Sequence, residues 1–207
     1  MENHMLFCNL DNRQLDALRE VGNVGAGNAA TALSQLIGMT VHLSVPRVDV
    51  IPFPRVADIL GGAEAEIAAL YMKVYGDTRG NILLVFTPQH LKSLTAKVIG
   101  RPIHSLHSLS EHERSAMLEI GNILASSYLN SISQLLHLSL IPSVPSLAID
   151  MVGAVLEAPI LEISRVTDTA LVLQTEFQEA EKSFAGHFFL LPDPQSLDTM
   201  LDALSRP

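Results

Sequence analysis

The sequence predicts an α/β fold of α+β character, built as two pseudo-symmetric α-β-β-β-α halves forming one sandwich with paired long helices on the surface. Three observations carry this expectation. Laid over 119–145 at a shift of 99, residues 20–46 coincide at ten of twenty-seven positions, and self-similarity at a fixed spacing marks a repeated structural unit. The ends of the halves also correspond, at a shift of 106: Gly80-Asn-Ile-Leu-Leu-Val-Phe-Thr87-Pro88-Gln89 parallels Gly186-His-Phe-Phe-Leu-Leu-Pro-Asp193-Pro194-Gln195. Within each half, capping, periodicity and turn signals then fall in the same order. One domain over 1–207 is expected, made of repeat 1 (about 9–100) and repeat 2 (about 108–205), with 100–110 as the natural linker.

Each half opens with a capping box, Asp11-x-x-Gln14 and Ser110-x-x-Glu113, in which the first side chain and the fourth satisfy each other's backbone N–H. The helices they start are expected to run to about Ile37 and about Leu136. A short strand follows in the first half, where Val41, Leu43 and Val45 alternate with His42 and Ser44. After a variable stretch each half shows a hairpin. The first is Glu66–Tyr75, a turn through Gly76–Gly80, then Asn81–Phe86; the second is Ala170–Phe177, a polar turn around Glu179–Ser183, then Gly186–Leu191. A closing helix starts at Pro88 or Pro194, with Thr87 or Asp193 as N-cap and proline where its missing N–H costs nothing.

Composition bounds the function classes. Hydrophobic residues at 48% and charged residues at 17% of 207 positions are an ordinary globular balance, enough for a core. A net charge of −9 weighs against a nucleic-acid backbone or an anionic membrane surface as partner. Cys8 is the single cysteine, so no intrachain disulfide forms and a reducing compartment is the simpler expectation. Neither a basic-then-apolar leader nor an apolar run beyond stretches such as Ile82–Phe86 is present, so a cytoplasmic location is expected.

The chemistry-bearing pattern is also doubled. Asp16-x3-Glu20-x2-Asn23-x22-Pro46 recurs as Ser115-x3-Glu119-x2-Asn122-x22-Pro145. On a helical wheel Asp16, Glu20 and Asn23 lie within about 60° of one another, opposite Leu18, Gly25, Ala29, Ala32 and Leu36. Ser115, Glu119 and Asn122 likewise oppose Met117, Leu124, Tyr128, Ser131 and Leu135. Both acid–amide pairs are therefore expected to face solvent from a rigid element. A single exposed Glu–Asn pair is most often a solvated face. Two copies with matched flanks, kept while neighbours diverge (Gly25 against Leu124, Ala29 against Tyr128), favour a duplicated site. The glycines between them, Gly22, Gly25 and Gly27, follow a capped helix rather than a strand and lack both the dinucleotide and the Walker order. They read as small residues admitting a close neighbour, at about 1 kcal/mol of helix propensity each.

Glu20-Val-Gly-Asn23-Val-Gly-Ala-Gly-Asn-Ala-Ala-Thr-Ala-Leu-Ser34, with its repeat, resembles the CheC family of chemotaxis phosphatases, which with CheX and FliY carries the same D/S-x3-E-x2-N-x22-P pattern. The resemblance covers essentially the whole chain. It implies hydrolysis of the aspartyl phosphate on a CheY-like response-regulator receiver domain, with Mg²⁺ supplied by the receiver and no cofactor held by this chain. It also implies roles. Asn23 and Asn122 would orient the attacking water, since a carboxamide both donates and accepts without titrating. Glu20 and Glu119 would pair with the receiver's lysine. Asp16 and Ser115 would support the docking surface, and Pro46 and Pro145 would shape the strand end beside the helix. CheD is a further partner that the resemblance brings in.

Other candidates are weaker. His104, His107, His112 and Glu111 surround a linker and a helix start without a cysteine ligand, a pattern more typical of solvated histidines than of a metal site. Cys8 has no histidine arrangement for nucleophilic catalysis, and Asp49, Asp150 and Glu157 have no matched partner. The alternative from a different class is a non-catalytic scaffold that binds a receiver or CheD. The middle domain of the flagellar switch protein FliM resembles the same fold without the Glu–Asn pair.

Overall fold

A computed structural model describes residues 10–163, 169–179 and 182–204. Repeat 1 contains α1 (Asn12–Ile37), β1 (Val41–Pro52), α2 (Phe53–Ile59), β2 (Glu66–Gly76), β3 (Gly80–Phe86) and α3 (Pro88–Ile99). Repeat 2 contains α4 (Glu111–Leu136), β4 (Leu140–Pro142), β5 (Ser146–Met151), α5 (Val152–Ile163), β6 (Thr169–Glu179), β7 (Lys182–Pro192) and α6 (Pro194–Leu204). The expected order holds with two departures: the first strand of repeat 2 is split into β4 and β5, and the variable stretches each carry a helix, α2 and α5. No strong cap or period announces them, and α2 begins with Phe53 and Pro54 in a segment rich in proline. The two capping boxes form as expected, with Gln14 N–H donating to Asp11 Oδ1 at 2.8 Å and Ser110 N–H donating to Glu113 Oε2 at 2.9 Å. Part of the second hairpin's turn, and Cys8, fall outside the described residues.

The strands make one seven-stranded antiparallel sheet in the order β1-β6-β7-β3-β2-β4, with β5 also on β2. Each repeat's first strand pairs with the hairpin of the other repeat: β1 lies along β6, and β4 and β5 lie along β2. The central pair, β3 with β7, joins the two hairpins. This sheet is covered on both faces, which explains the continuous apolar run in β3. Ile82, Leu84 and Phe86 enter the large core under α1, α3, α4 and α6, while Leu83 and Val85 enter a smaller core under α2 and α5.

The long helices lie side by side and antiparallel. Asn28 donates to Ser131 Oγ at 2.8 Å, whereas Gln35 and Leu36, further along α1, share a groove with Asn122 and Ser126, earlier along α4. Resting on both the sheet and its neighbour, each helix buries a wider arc than a single stripe. Val21, Ala26, Ala30 and Leu33 are buried besides the expected Leu18 and Ala29, while Ala32 and Leu36 are only half-buried. Leu135, expected in the core, is 49% exposed, because in its last turn α4 turns Ile132 and Leu136 inward instead.

The glycines separate into two kinds. A Cβ on Gly25 would stand 2.7 Å from the Tyr128 ring, and one on Gly22 would stand 2.9 Å from Leu173 Cδ2. Gly27 is exposed with open space around it. Tyr128 cannot yield at Gly25, being 2% exposed and stacked 4.1 Å from Phe188. Overpacking at such a site costs about 1–3 kcal/mol, against about 1 kcal/mol gained in helix propensity. Gly25→Ala is thus expected to lower the urea midpoint, and Gly27→Ala to raise stability by up to about 1 kcal/mol.

Tyr128 Oη is buried and has no hydrogen-bond partner among the described residues. Burial pushes its ionisation well above the usual tyrosine range. Removing an unsatisfied buried hydroxyl without changing shape is neutral or favourable. Tyr128→Phe is expected to leave stability unchanged or raise it by about 1 kcal/mol in urea denaturation.

Glu113 closes the second capping box, and hydrogen bonds from Ser110 hold its carboxyl below the usual glutamate value of 4.5, with Arg101 at 3.4 Å adding to the shift. A depressed carboxyl stabilises fully above its unfolded value and stops doing so as pH falls through the folded one. Glu113→Gln is therefore expected to flatten the fall in melting temperature below about pH 4.5 relative to the parent chain. An unchanged acid limb would show that the cap's charge does not contribute.

Candidate functional site

The two motifs start from the same local physics. In both repeats the strand after the long helix carries one residue too many for its partner. Ser44 pairs with Glu176 and Arg47 with Gln174, three steps on β1 against two on β6. Pro142 pairs with Val74 and Ser146 with Tyr71, four steps against three on β2. Each extra residue is a bulge, and the motif proline sits in it, where a missing N–H breaks no ladder bond. Pro145 is buried there; Pro46 lies at the β1 bulge, its side chain outside the described residues.

In repeat 1 the bulge is closed by Asn23. Its Oδ1 accepts from the backbone N–H of Val45 at 2.8 Å, and its Nδ2 donates to the Val45 carbonyl at 3.5 Å. Val45 points inward and is 1% exposed. Glu20 remains exposed one turn earlier, and Asp16 is paired with Arg19 at 3.1 Å. Exposure on the helix face therefore does not leave the amide free here. The residue as a whole is exposed, but the carboxamide is bound to the strand because the bulge leaves a backbone N–H without a ladder partner.

In repeat 2 the same positions are arranged differently. Ser143 takes up the ladder with β2: its N–H donates to the Lys73 carbonyl at 2.8 Å, and its Oγ accepts from the Lys73 N–H at 3.0 Å. Val144, the counterpart of Val45, is turned out and 83% exposed. Asn122 is half-buried and accepts one long hydrogen bond from Ser126 Oγ at 3.4 Å. A cleft of about 270 Å³ opens between α4 and this loop, lined by Ser115, Glu119 and Asn122 on one side and by Ser143, Val144 and Pro145 on the other. All four motif positions of repeat 2 thus meet in one place.

Such a cleft has one carboxylate, one carboxamide and two serine hydroxyls, with an apolar rim. It can hold water and bind a cation on a partner, but it contains no nucleophile activated by a neighbouring base. The histidine candidates do not assemble: His107 pairs with Glu66 at 3.5 Å, and no group of three His, Cys, Asp or Glu that could hold a metal forms among the described residues. Asp49 is bound by Arg47 at 2.6 Å. Among the described residues no helix is long and apolar enough to cross a membrane.

Val45, Ser126, Ser143 and Val144 complete the picture and were not singled out from sequence. The signal for three of them is present in the sequence, since Ser44-Val45-Pro46 and Ser143-Val144-Pro145 are identical. Identity could not show that one valine points in and the other out.

Comparison with known proteins gives this arrangement a family. A model described as the CheC-like family matches residues 14–49 and 113–149, the two stretches that hold both motifs. The CheY-P phosphatase CheC of Bacillus subtilis (strain 168) is 34% identical over 203 residues, covering 96% of this chain and 97% of that protein. Among solved structures, FliY of Thermotoga maritima superposes with a TM-score of 0.77 at 21% identity, covering 95% of this chain and 98% of the other. The FliM middle domain from H. pylori superposes with a TM-score of 0.68 at 15% identity, covering 94% and 99%. At those identities the structural likenesses establish the fold. With a relative so similar along nearly its whole length, and with both motif stretches matched, this chain belongs to the CheC-like family.

Proposed function

We propose that this chain is a phosphatase that hydrolyses the aspartyl phosphate of a CheY-like receiver domain in chemotaxis signalling. The observation that carries the reading is the meeting of Ser115, Glu119, Asn122 and Pro145 in one open cleft on a chain of this family. In the reaction a water oxygen bonds to phosphorus as the bond from phosphorus to the aspartate oxygen breaks. The carboxylate is restored, and the water's protons pass to phosphate and solvent. A carboxylate leaves without needing an acid, so the enzyme's contribution is placement of the water and of charge. Asn122 suits the first task, because a carboxamide can accept from the water and donate to it. Glu119, exposed one turn earlier, suits a charge-assisted contact with a receiver lysine. Mg²⁺ belongs to the receiver in this reading. Asn23 and Glu20 form the corresponding pair in repeat 1.

A second reading, a scaffold that binds a receiver or CheD without hydrolysis, is favoured by the likeness to the FliM middle domain and by the apolar rim at Val144. Phosphate release from a phosphorylated CheY-like receiver with Mg²⁺ separates the two. The chain is expected to accelerate release, and Asn23→Ala combined with Asn122→Ala to remove the acceleration. An inactive parent chain that still binds the receiver would establish the scaffold instead. Glu119→Lys is expected to weaken receiver binding at least about tenfold by placing like charges together; unchanged affinity in a titration would rule out that docking role.

A further inference from the structure

The two motifs hold the same carboxamide in two different states. In repeat 1 both ends of the Asn23 amide are turned onto the backbone of Val45, at 2.8 Å and 3.5 Å. In repeat 2 Ser143 satisfies the strand through Lys73, Val144 swings out, and Asn122 is left facing the cleft beside Glu119. We propose that Asn122 is the residue that holds the water, whereas Asn23 is a latch that closes the β1 bulge and secures α1 to the sheet. This rests on the phosphatase reading for Asn122 but not for Asn23.

Three further differences point the same way. Ser126, whose hydroxyl donates to Asn122 Oδ1, corresponds to Gly27 in repeat 1, which has no hydroxyl to offer. Asp16 is engaged with Arg19, whereas Ser115 lines the open cleft. Finally, the exposures of the two valines, 1% and 83%, mean that the repeat 1 bulge cannot open without drawing Val45 out of the core. A carboxamide that already accepts from one backbone N–H and donates to the same residue's carbonyl has its best-directed donor and acceptor engaged. One lone pair and one N–H stay free, but the bonds to Val45 fix where they point, and turning the amide toward an in-line water would release a buried peptide N–H that then has no partner.

The test compares Asn23→Ala, Asn122→Ala and the double substitution by melting temperature and by phosphate release from a phosphorylated CheY-like receiver. Asn122→Ala is expected to lose hydrolysis as completely as the double variant, to within about twofold, while melting within about 1 °C of the parent chain. Asn23→Ala is expected to melt about 3–6 °C lower, the shift a stranded backbone N–H gives a chain of this length. Should Asn23→Ala fail to fold, Asn23→Asp serves in its place. It keeps an oxygen to accept from Val45 N–H and is expected to fold and to melt above the alanine variant. Asn122→Ala with half or more of the parent rate would overturn the assignment, as would Asn23→Ala melting with the parent chain. If the parent chain releases no phosphate, the phosphatase reading fails while the melting comparison still decides the latch.

Discussion

Everything in this fold depends on an exchange of strands. Neither repeat can complete a sheet alone, because β1 finds its hydrogen-bonding partner in β6 and the β4–β5 segment finds its partner in β2. The exchange forces the two hairpins together at β3 and β7 and lays α1 antiparallel to α4 across the same face. Close approach of these helices then requires Gly25 under the ring of Tyr128, so a residue expensive for an isolated helix becomes necessary for the pair. Each motif helix is thereby held against its own repeat's first strand, whose bulge decides what the motif asparagine can do.

A bulge leaves a peptide group out of register, and in a covered sheet that group needs a partner from somewhere. The two repeats solve the same deficit differently. Repeat 1 uses a side chain from the helix; repeat 2 uses Ser143, which pairs with Lys73 through both its backbone and its hydroxyl. Serine occupies the corresponding position 44 as well, so residue type alone does not select the solution. The two repeats differ instead in the continuity of the bulged strand. In repeat 1 the bulge falls within one continuous strand on β6, whereas in repeat 2 it splits the strand into β4 and β5, and the loop between them is free to turn Val144 outward.

Much of this was legible in the sequence where the cause is local. The capping boxes at Asp11 and Ser110, the ends of both long helices near Ile37 and Leu136, and the proline-started α3 and α6 all follow from residues within one turn of the event. Helices α2 and α5 were not legible, since they owe their existence to the apolar sheet face they cover rather than to a cap or period of their own. The buried arc of α1 is wider than a single helical stripe for the same reason: a wheel assumes one neighbour, and this helix has two. At the site, the acid–amide spacing and the proline could be read directly. The partner of the amide could not, because it is a backbone N–H whose freedom depends on strand register twenty-two residues away.

That last point changes what a repeated motif means. Two copies of Glu-x2-Asn-x22-Pro look like two copies of one activity, since function is the simplest reason for an amide to persist beside diverging neighbours. In repeat 1, however, the interval from Asn23 to Pro46 has a sufficient structural cause: it is the distance from the helix to the residue before the proline, whose peptide the amide satisfies. A fold that needs an asparagine there would keep it with or without chemistry. Glu20 has no such cause, for it is exposed and makes no hydrogen bond to a backbone group among the described residues. The duplication of the glutamates, unlike that of Asn23, is therefore left without a structural cause. Whether an asparagine at this position is bound to the strand or left facing the cleft is decided by what else in its repeat can occupy the bulge.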